Sequence, residues 1–289
     1  MNDQAQGLRN LIKSQNDSSD NKTKVLTITS GKGGVGKSNF TLNFALALQL
    51  KGYKVLIFDA DIGMANIDVL MGVTPKYNLY HLLKREKNIK EIITKGVHDL
   101  QIISGGSGIQ ELLHLSQTDL EYFAYEASKL LGSVDFILFD TGAGLTQQSL
   151  NLMMSSHETI VVTTPEPTSI TDAYAIIKMV HSMNQQIQFK MVVNRVTTQK
   201  EGTLTSDKIK MVAKQFLNLD ISTLGYISED VHISKAVKKQ EPFLMAYPNC
   251  SASRDIHSLS RFFLSEKDDQ NRLNTNVKNI FYKMIRMLK

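Results

Sequence analysis

The sequence predicts a doubly wound α/β fold, a mostly parallel sheet with helices on both faces. Two observations carry that expectation: short β-branched apolar runs recur along the chain, and helix-period segments lie between them. A third gives the fold a purpose. A glycine-rich stretch ending in Lys-Ser, Gly31 to Ser38, joins the first strand to the first helix.

Five runs read as strands: Val25–Thr29, Val55–Phe58, Phe136–Phe139, Ile160–Thr163 and Met191–Val193, with Ile221–Ile227 as a less continuous sixth. They are too short for helices and apolar on successive residues, which suits strands buried on both faces. Asn39–Leu50, Thr168–Met183 and Ser206–Leu217 have helical spacing. Residues 1–23 are polar, end in NDSSDNKT and read as a flexible arm with too little apolar surface to pack. The segment 265–271, SEKDDQN, reads as a polar linker. The expected organisation is an arm (1–23), one large domain (24–265), and a linker with a terminal helix (266–289). No internal repeat is visible.

With 289 residues and 42% hydrophobic content, the chain can bury a sizeable core. Its single cysteine, Cys250, excludes an internal disulfide framework and any multi-cysteine metal site within one chain, and fits a reducing cytosol. The opening MNDQAQGLRN lacks the apolar run of a secretory signal. No stretch approaches the roughly 20 apolar residues of a transmembrane helix. The net charge is +5, and the tail from Arg272 to Lys289 holds Arg272, Lys278, Lys283, Arg286 and Lys289 with no acid, a charge equal to the whole excess.

The loop reads Gly31-Lys32-Gly33-Gly34-Val35-Gly36-Lys37-Ser38, after the strand KVLTITS and before the helix SNFTLNFALAL. Glycines let backbone N–H groups converge on phosphate oxygens, reinforced by a helix N-terminus. Lys37 brings a point charge to β- and γ-phosphates, and the Ser38 hydroxyl can ligate Mg²⁺. Lys32 is surplus to one triphosphate in one chain. A cation there can reach a neighbour's phosphates and neutralise transition-state charge, as an arginine finger does in trans. The Asn-Lys-x-Asp pattern that selects guanine is incomplete: the strand ends Asn194-Arg195-Val196-Thr197, without the aspartate, so adenine is favoured.

The pattern KGGVGKS, followed by VLIFDADIGMANID and FILFDTGAGL, resembles the deviant Walker-A ATPases of the MinD/ParA type. The resemblance runs from about Lys24 to about residue 265 and implies ATP and Mg²⁺ as cofactors, hydrolysis of ATP, and a homodimer when ATP is bound. It makes Lys32 the signature lysine crossing the dimer interface. By the same resemblance Asp61 orients or activates the attacking water, Asp59 supports the metal region, and Asp140 is the Walker-B aspartate holding Mg²⁺ through water. Asn194, with Arg195 beside it, is assigned to the nucleotide, Asn194 at the adenine. A proline usual after the later strand is missing from Gly225-Tyr226-Ile227-Ser228-Glu229-Asp230, so the second wall of the base pocket stays open. Iron–sulfur and arsenite-pump relatives need several thiolates, which Cys250 cannot supply.

The tail places Leu273, Val277, Ile280, Phe281, Met284, Ile285 and Leu288 at helical spacing, one apolar stripe beside basic residues. Such a helix suits an anionic membrane surface, as in the MinD anchor. At the other end, Asp3-Gln4-Ala5-Gln6-Gly7-Leu8-Arg9 resembles the DQAxxLR element of the FlhG (FleN/YlxH) family, as do DIGMANIDVLMG and TTPEPTSITDAYAIIK. That resemblance implies stimulation of the SRP-type GTPase FlhF through Asp3, Gln4, Ala5, Leu8 and Arg9, contact with flagellar C-ring proteins, and partner coupling at Asp172. The implied location is cytoplasmic, reversibly at the inner face of the cell membrane. A nucleoid-binding ParA-type partition ATPase and a MinD division-site regulator are the alternatives, and nucleic acid is not the expected partner.

Overall fold

A computed structural model describes residues 23–61, 66–106 and 117–269. Among them the elements follow in the order β1 (Lys24–Thr29), α1 (Lys37–Gln49), β2 (Val55–Ala60), α2 (Ile67–Met71), α3 (Leu79–Leu83), β3 (Thr94–Lys95), β4 (Gln101–Ser104), α4 (Gln117–Ser128), β5 (Phe136–Thr141), α5 (Gln147–Ser155), β6 (Glu158–Thr163), α6 (Pro167–Met183), β7 (Gln188–Val196), α7 (Gln199–Leu217), β8 (Ser222–Ser228), α8 (Val231–Lys239), α9 (Phe243–Ala246) and α10 (Ser251–Asp269). One eight-stranded sheet results, in the order β3-β4-β2-β5-β1-β6-β7-β8. Every pairing is parallel except β3 with β4, which is antiparallel at the sheet edge. The doubly wound expectation therefore holds.

Side-chain alternation along the strands assembles two layers. Leu26, Ile28, Phe136, Leu138, Ile160, Val162 and Val192 face α1 and α10 in one continuous core. The opposite faces pack in two groups: Val25, Ile137 and Phe139 against α3 and α4, and Val161, Met191 and Val193 against α6 and α7. Burial on both faces is why these strands read as unbroken apolar runs.

Three elements differ from the sequence expectation. The helix expected from Ser206 begins at Gln199, because Thr198 caps it, accepting from the Glu201 N–H at 3.2 Å. Thr23, placed in the arm, is buried, and its hydroxyl donates to the Val134 carbonyl at 2.7 Å. The linker expected at 265–271 is helical through Asp269. Its Glu266 is tied to buried Lys190 of β7, a partner more than 70 residues away whose attraction outweighs the local polarity.

That last contact belongs to a half-buried charged row. Lys24 on β1 pairs with Glu158 on β6 at 2.6 Å, Lys190 on β7 pairs with Glu266 on α10, and all face the α1/α10 layer. Phe263 lies between them, with the Lys24 ammonium 5.0 Å and the Lys190 ammonium 5.8 Å from its ring centre. The ring also meets Phe44 edge-on at 5.4 Å and Phe136 at 5.7 Å. Each pair joins one buried member, Glu158 or Lys190, to a partly exposed one, Lys24 or Glu266.

Phe263→Ala therefore removes a fully buried aromatic and the faces of two cations. The expected loss is about 3–5 kcal/mol of stability. Urea unfolding followed by circular dichroism measures it, and a loss under about 1 kcal/mol would show that the ring does not knit α10 to the sheet.

Candidate active site

The loop between β1 and α1 is shaped by where glycine is required. Gly36 caps α1 with φ 91°, a left-handed conformation, and a Cβ there would lie 2.3 Å from the Asn194 amide nitrogen. Gly31 is excluded from bearing a side chain by another element: a Cβ would sit 2.4 Å from backbone and side-chain carbons of Asp172 on α6. Asp172, the sequence-predicted partner residue, thus packs directly on the loop. No side chain caps α1 and its first turn holds no acid, so its leading N–H groups are left for an anion. Gly33, Gly34 and Val35 complete the turn, Gly34 also with positive φ.

Asp140, at the end of β5 and fully buried, gathers the cationic and hydroxyl groups of α1. The Lys37 ammonium lies 3.0 Å from its Oδ2, the Ser38 hydroxyl donates to that same oxygen at 2.6 Å, and the Thr41 hydroxyl meets Oδ1 at 2.6 Å. Parallel register sets Asp59 on β2 directly beside Asp140. The Asp59 carboxylate accepts from the N–H groups of Asp61 at 3.2 Å, Asn66 at 3.0 Å and Ile67 at 3.1 Å, and so organises the turn into α2. Asp61 stands half-buried against Gly142, one strand over.

Burial, then the charge of Asp140, pushes the Asp59 carboxyl from its ordinary 3.8 to about 7, against its backbone donors and Lys37. Burial likewise raises Asp61, with Lys37 opposing and Asp140 adding to the rise. Ser38, Asp140 and, at one remove, Asp59 offer hard oxygen donors that fit Mg²⁺. Among the described residues no cluster of three or more His, Cys, Asp or Glu could hold a metal.

Two sequence-predicted residues stand in unexpected company. Asn194 is buried, donating from its amide to the Val35 carbonyl at 2.7 Å and accepting from the Arg195 N–H at 2.9 Å. Its first duty is to hold the loop. Arg195 is exposed, with φ 57°. Lys32 is also exposed, its ammonium 2.9 Å from Glu166 and 3.2 Å from the Thr168 hydroxyl at the start of α6. The lysine holds the Glu166 carboxyl below its ordinary range. Glu166, Thr168 and Thr41 were not singled out in the sequence. Thr41 was findable, one turn along α1 from Lys37, whereas the pairing of Lys32 with Glu166 spans more than 130 residues. The arm residues Asp3, Gln4, Ala5, Leu8 and Arg9 and the stripe from Leu273 to Leu288 lie outside the described residues.

A glycine loop at a helix N-terminus, a lysine and a hydroxyl poised on a strand-end aspartate, and a sheet of this order define a P-loop ATPase. A family model described as ParA, NUBPL iron-transfer P-loop NTPase, matches residues 21–263. The flagellum site-determining protein YlxH of Helicobacter pylori is 40% identical over 272 residues, 92% of each chain. The antiactivator FleN of Pseudomonas aeruginosa is 34% identical over 230 residues, 80% of this chain and 82% of its own. In structure, a chain of the MinC:MinD cell division protein complex of Aquifex aeolicus matches with TM-score 0.69 at 25% identity, over 84% of this chain and 96% of that one. The chain belongs to the ParA/MinD family of P-loop ATPases, in its FlhG (FleN/YlxH) group.

The raised Asp59 carboxyl has a measurable consequence. Its folded value lies above its unfolded one, so its contribution to stability is fully present below about pH 4 and lost as the pH rises through 7. Carbon-13 NMR titration of the nucleotide-free protein is expected to show a carboxyl with a midpoint near 7, moved down in Asp140→Asn, which removes the neighbouring charge. An unmoved midpoint would mean that Asp140 does not act on Asp59.

Proposed function

We propose that this chain is a magnesium-dependent ATPase switch governing flagellar number and placement, monomeric without ATP and a face-to-face dimer with it. The observation that carries this reading is the position of Lys32. Its own loop already has a cation, Lys37, committed to the metal and phosphate side through Asp140, whereas Lys32 rests at the surface on Glu166 and Thr168. An exposed, weakly held ammonium at the rim of a phosphate site is suited to a second molecule's triphosphate.

Within each chain the groups divide the work. The N–H groups of Gly33 to Ser38 cradle the phosphates, and Lys37 leaves Asp140 for the β- and γ-oxygens. Ser38 and Asp140 would hold magnesium, Asp140 through water and with Asp59 behind it. Magnesium supplies charge neutralisation on the phosphate oxygens when bound. Asp61 orients the attacking water and is placed to take up its proton. Asn194, which holds the loop through the Val35 carbonyl, contacts the adenine, with Arg195 beside it at the nucleotide. The family model's iron transfer finds no thiolate set here, since Cys250 is the sole cysteine.

The name of the Helicobacter pylori relative, a flagellum site-determining protein, and the DQAxxLR-like arm support a flagellar role, with the arm stimulating an SRP-type GTPase and the assembly meeting C-ring proteins. No helix among the described residues is long and apolar enough to cross a membrane. Attachment instead falls to the basic amphipathic stripe from Leu273 to Leu288. One short amphipathic helix binds marginally, and a dimer presents two to the same surface. The alternative, a partition ATPase, would place that basic surface on DNA.

Two experiments test the switch. Lys32→Ala is expected to stay monomeric at saturating ATP, because repulsion between triphosphates across the interface goes uncompensated; an ATP-dependent dimer of this variant in sedimentation velocity would overturn the assignment. Liposome flotation compares the full chain with one ending at Asp269. The full chain is expected to float with anionic vesicles, more with ATP and less at high salt, because each basic residue contributes about 1 kcal/mol at such a surface. Equal flotation of the two chains would remove the tail from membrane binding.

A further inference from the structure

Asp140 presents two oxygens, and the groups around them are not equivalent. Oδ2 receives Lys37 and Ser38, both of which the loop chemistry claims once nucleotide arrives. Among the described residues Oδ1 receives only Thr41, at 2.6 Å, from a side chain with no exposed surface. The Thr41 hydroxyl also lies 3.0 Å from the Lys37 carbonyl. It has one proton to give, and the shorter, charge-assisted bond to the carboxylate is the stronger claimant. Thr41 stands one helical turn from Lys37 and three residues from Ser38, so the loop's chemistry and this hydroxyl ride on a single rigid element.

We propose that Thr41 is a positioning residue for the ATPase reaction. By binding Oδ1 it fixes the rotation of the Asp140 carboxylate, so that Oδ2 alone faces Ser38 and the metal's place. Without it the carboxylate is free to turn about its terminal bond, whose preferences are broad, and to offer either oxygen to Lys37. The Thr41 hydroxyl and Oδ1 stand apart from the groups that Lys37 and Ser38 engage, so the bond can be kept when nucleotide binds. This rests on the reading of Asp140 as the carboxylate that serves magnesium.

The test uses the full chain, Mg²⁺, and a fluorescent ADP, with Thr41→Val, Thr41→Ser and Asp140→Asn. Valine keeps the shape and branching of threonine and deletes the hydroxyl; serine keeps the hydroxyl. Magnesium affinity is read by titrating Mg²⁺ into protein loaded with nucleotide in chelator, and fold integrity by thermal unfolding without metal. Thr41→Val is expected to weaken Mg²⁺ binding at least tenfold, in the range of lost outer-shell partners. Nucleotide affinity in chelator should be unchanged, and Thr41→Ser should recover most of the metal affinity. Wild-type Mg²⁺ affinity in Thr41→Val, while Asp140→Asn loses it, would overturn the role of Thr41 alone. Wild-type affinity in Asp140→Asn would overturn the underlying site. Equal loss in Thr41→Ser and Thr41→Val, or nucleotide affinity in chelator falling in step, would mean that Thr41 is simply part of the packing.

Discussion

The fold is organised around one carboxylate. Asp140 closes the central strand β5, lies beside Asp59 of β2 in register, and draws Lys37, Ser38 and Thr41 of α1 onto a single buried group. A charge so deeply buried is tolerated only because a cation and two hydroxyls surround it. The loop must therefore arrive at the same point as the end of β5, which fixes the distance between α1 and the sheet. The remaining features of the site take their places from that contact, including the raised Asp59 carboxyl and the turn it organises.

The loop is held from the far side too. Asn194 reaches the Val35 carbonyl from β7, and Asp172 of α6 presses on Gly31. Three strands and two helices thus converge on eight residues of backbone, and catalytic loops of this kind depend on such rigid supports. The outer contact, Lys32 on Glu166, is the opposite case: exposed, solvent-screened, and light enough to be exchanged.

What the sequence made legible follows from the same physics. Central strands were visible because burial on both faces leaves continuous apolar runs, and the phosphate loop because only glycine tolerates Gly36's backbone and Gly31's neighbour. The edge strand β3 and its neighbour β4 were missed, being two and four residues long. The first turns of α7 were hidden by their polarity and by Gly202, which is glycine because the Tyr226 ring lies where a Cβ would go. SEKDDQN read as a linker because Lys190, which holds Glu266, is remote in sequence and buried where no local pattern reveals it. Within the site, Lys37, Ser38 and Asp140 were expected together and are together. The loop-holding use of Asn194 and the resting partner of Lys32 depend on tertiary neighbours, and no spacing rule discloses them.

The knot around Phe263 has an architectural consequence. Lys24, at the start of β1, and Phe263, near the close of α10, are joined ring to ammonium at 5.0 Å. This junction sits at the edge of the sheet where the strands begin, whereas the phosphate loop leaves from the edge where they end. Among the described residues the path begins and closes on one side of the sheet, with that seam opposite the phosphate loop. In a domain trimmed to residues 23–269, a bridge across the seam would yield a circularly permuted ATPase domain whose new ends can be opened in a surface turn elsewhere.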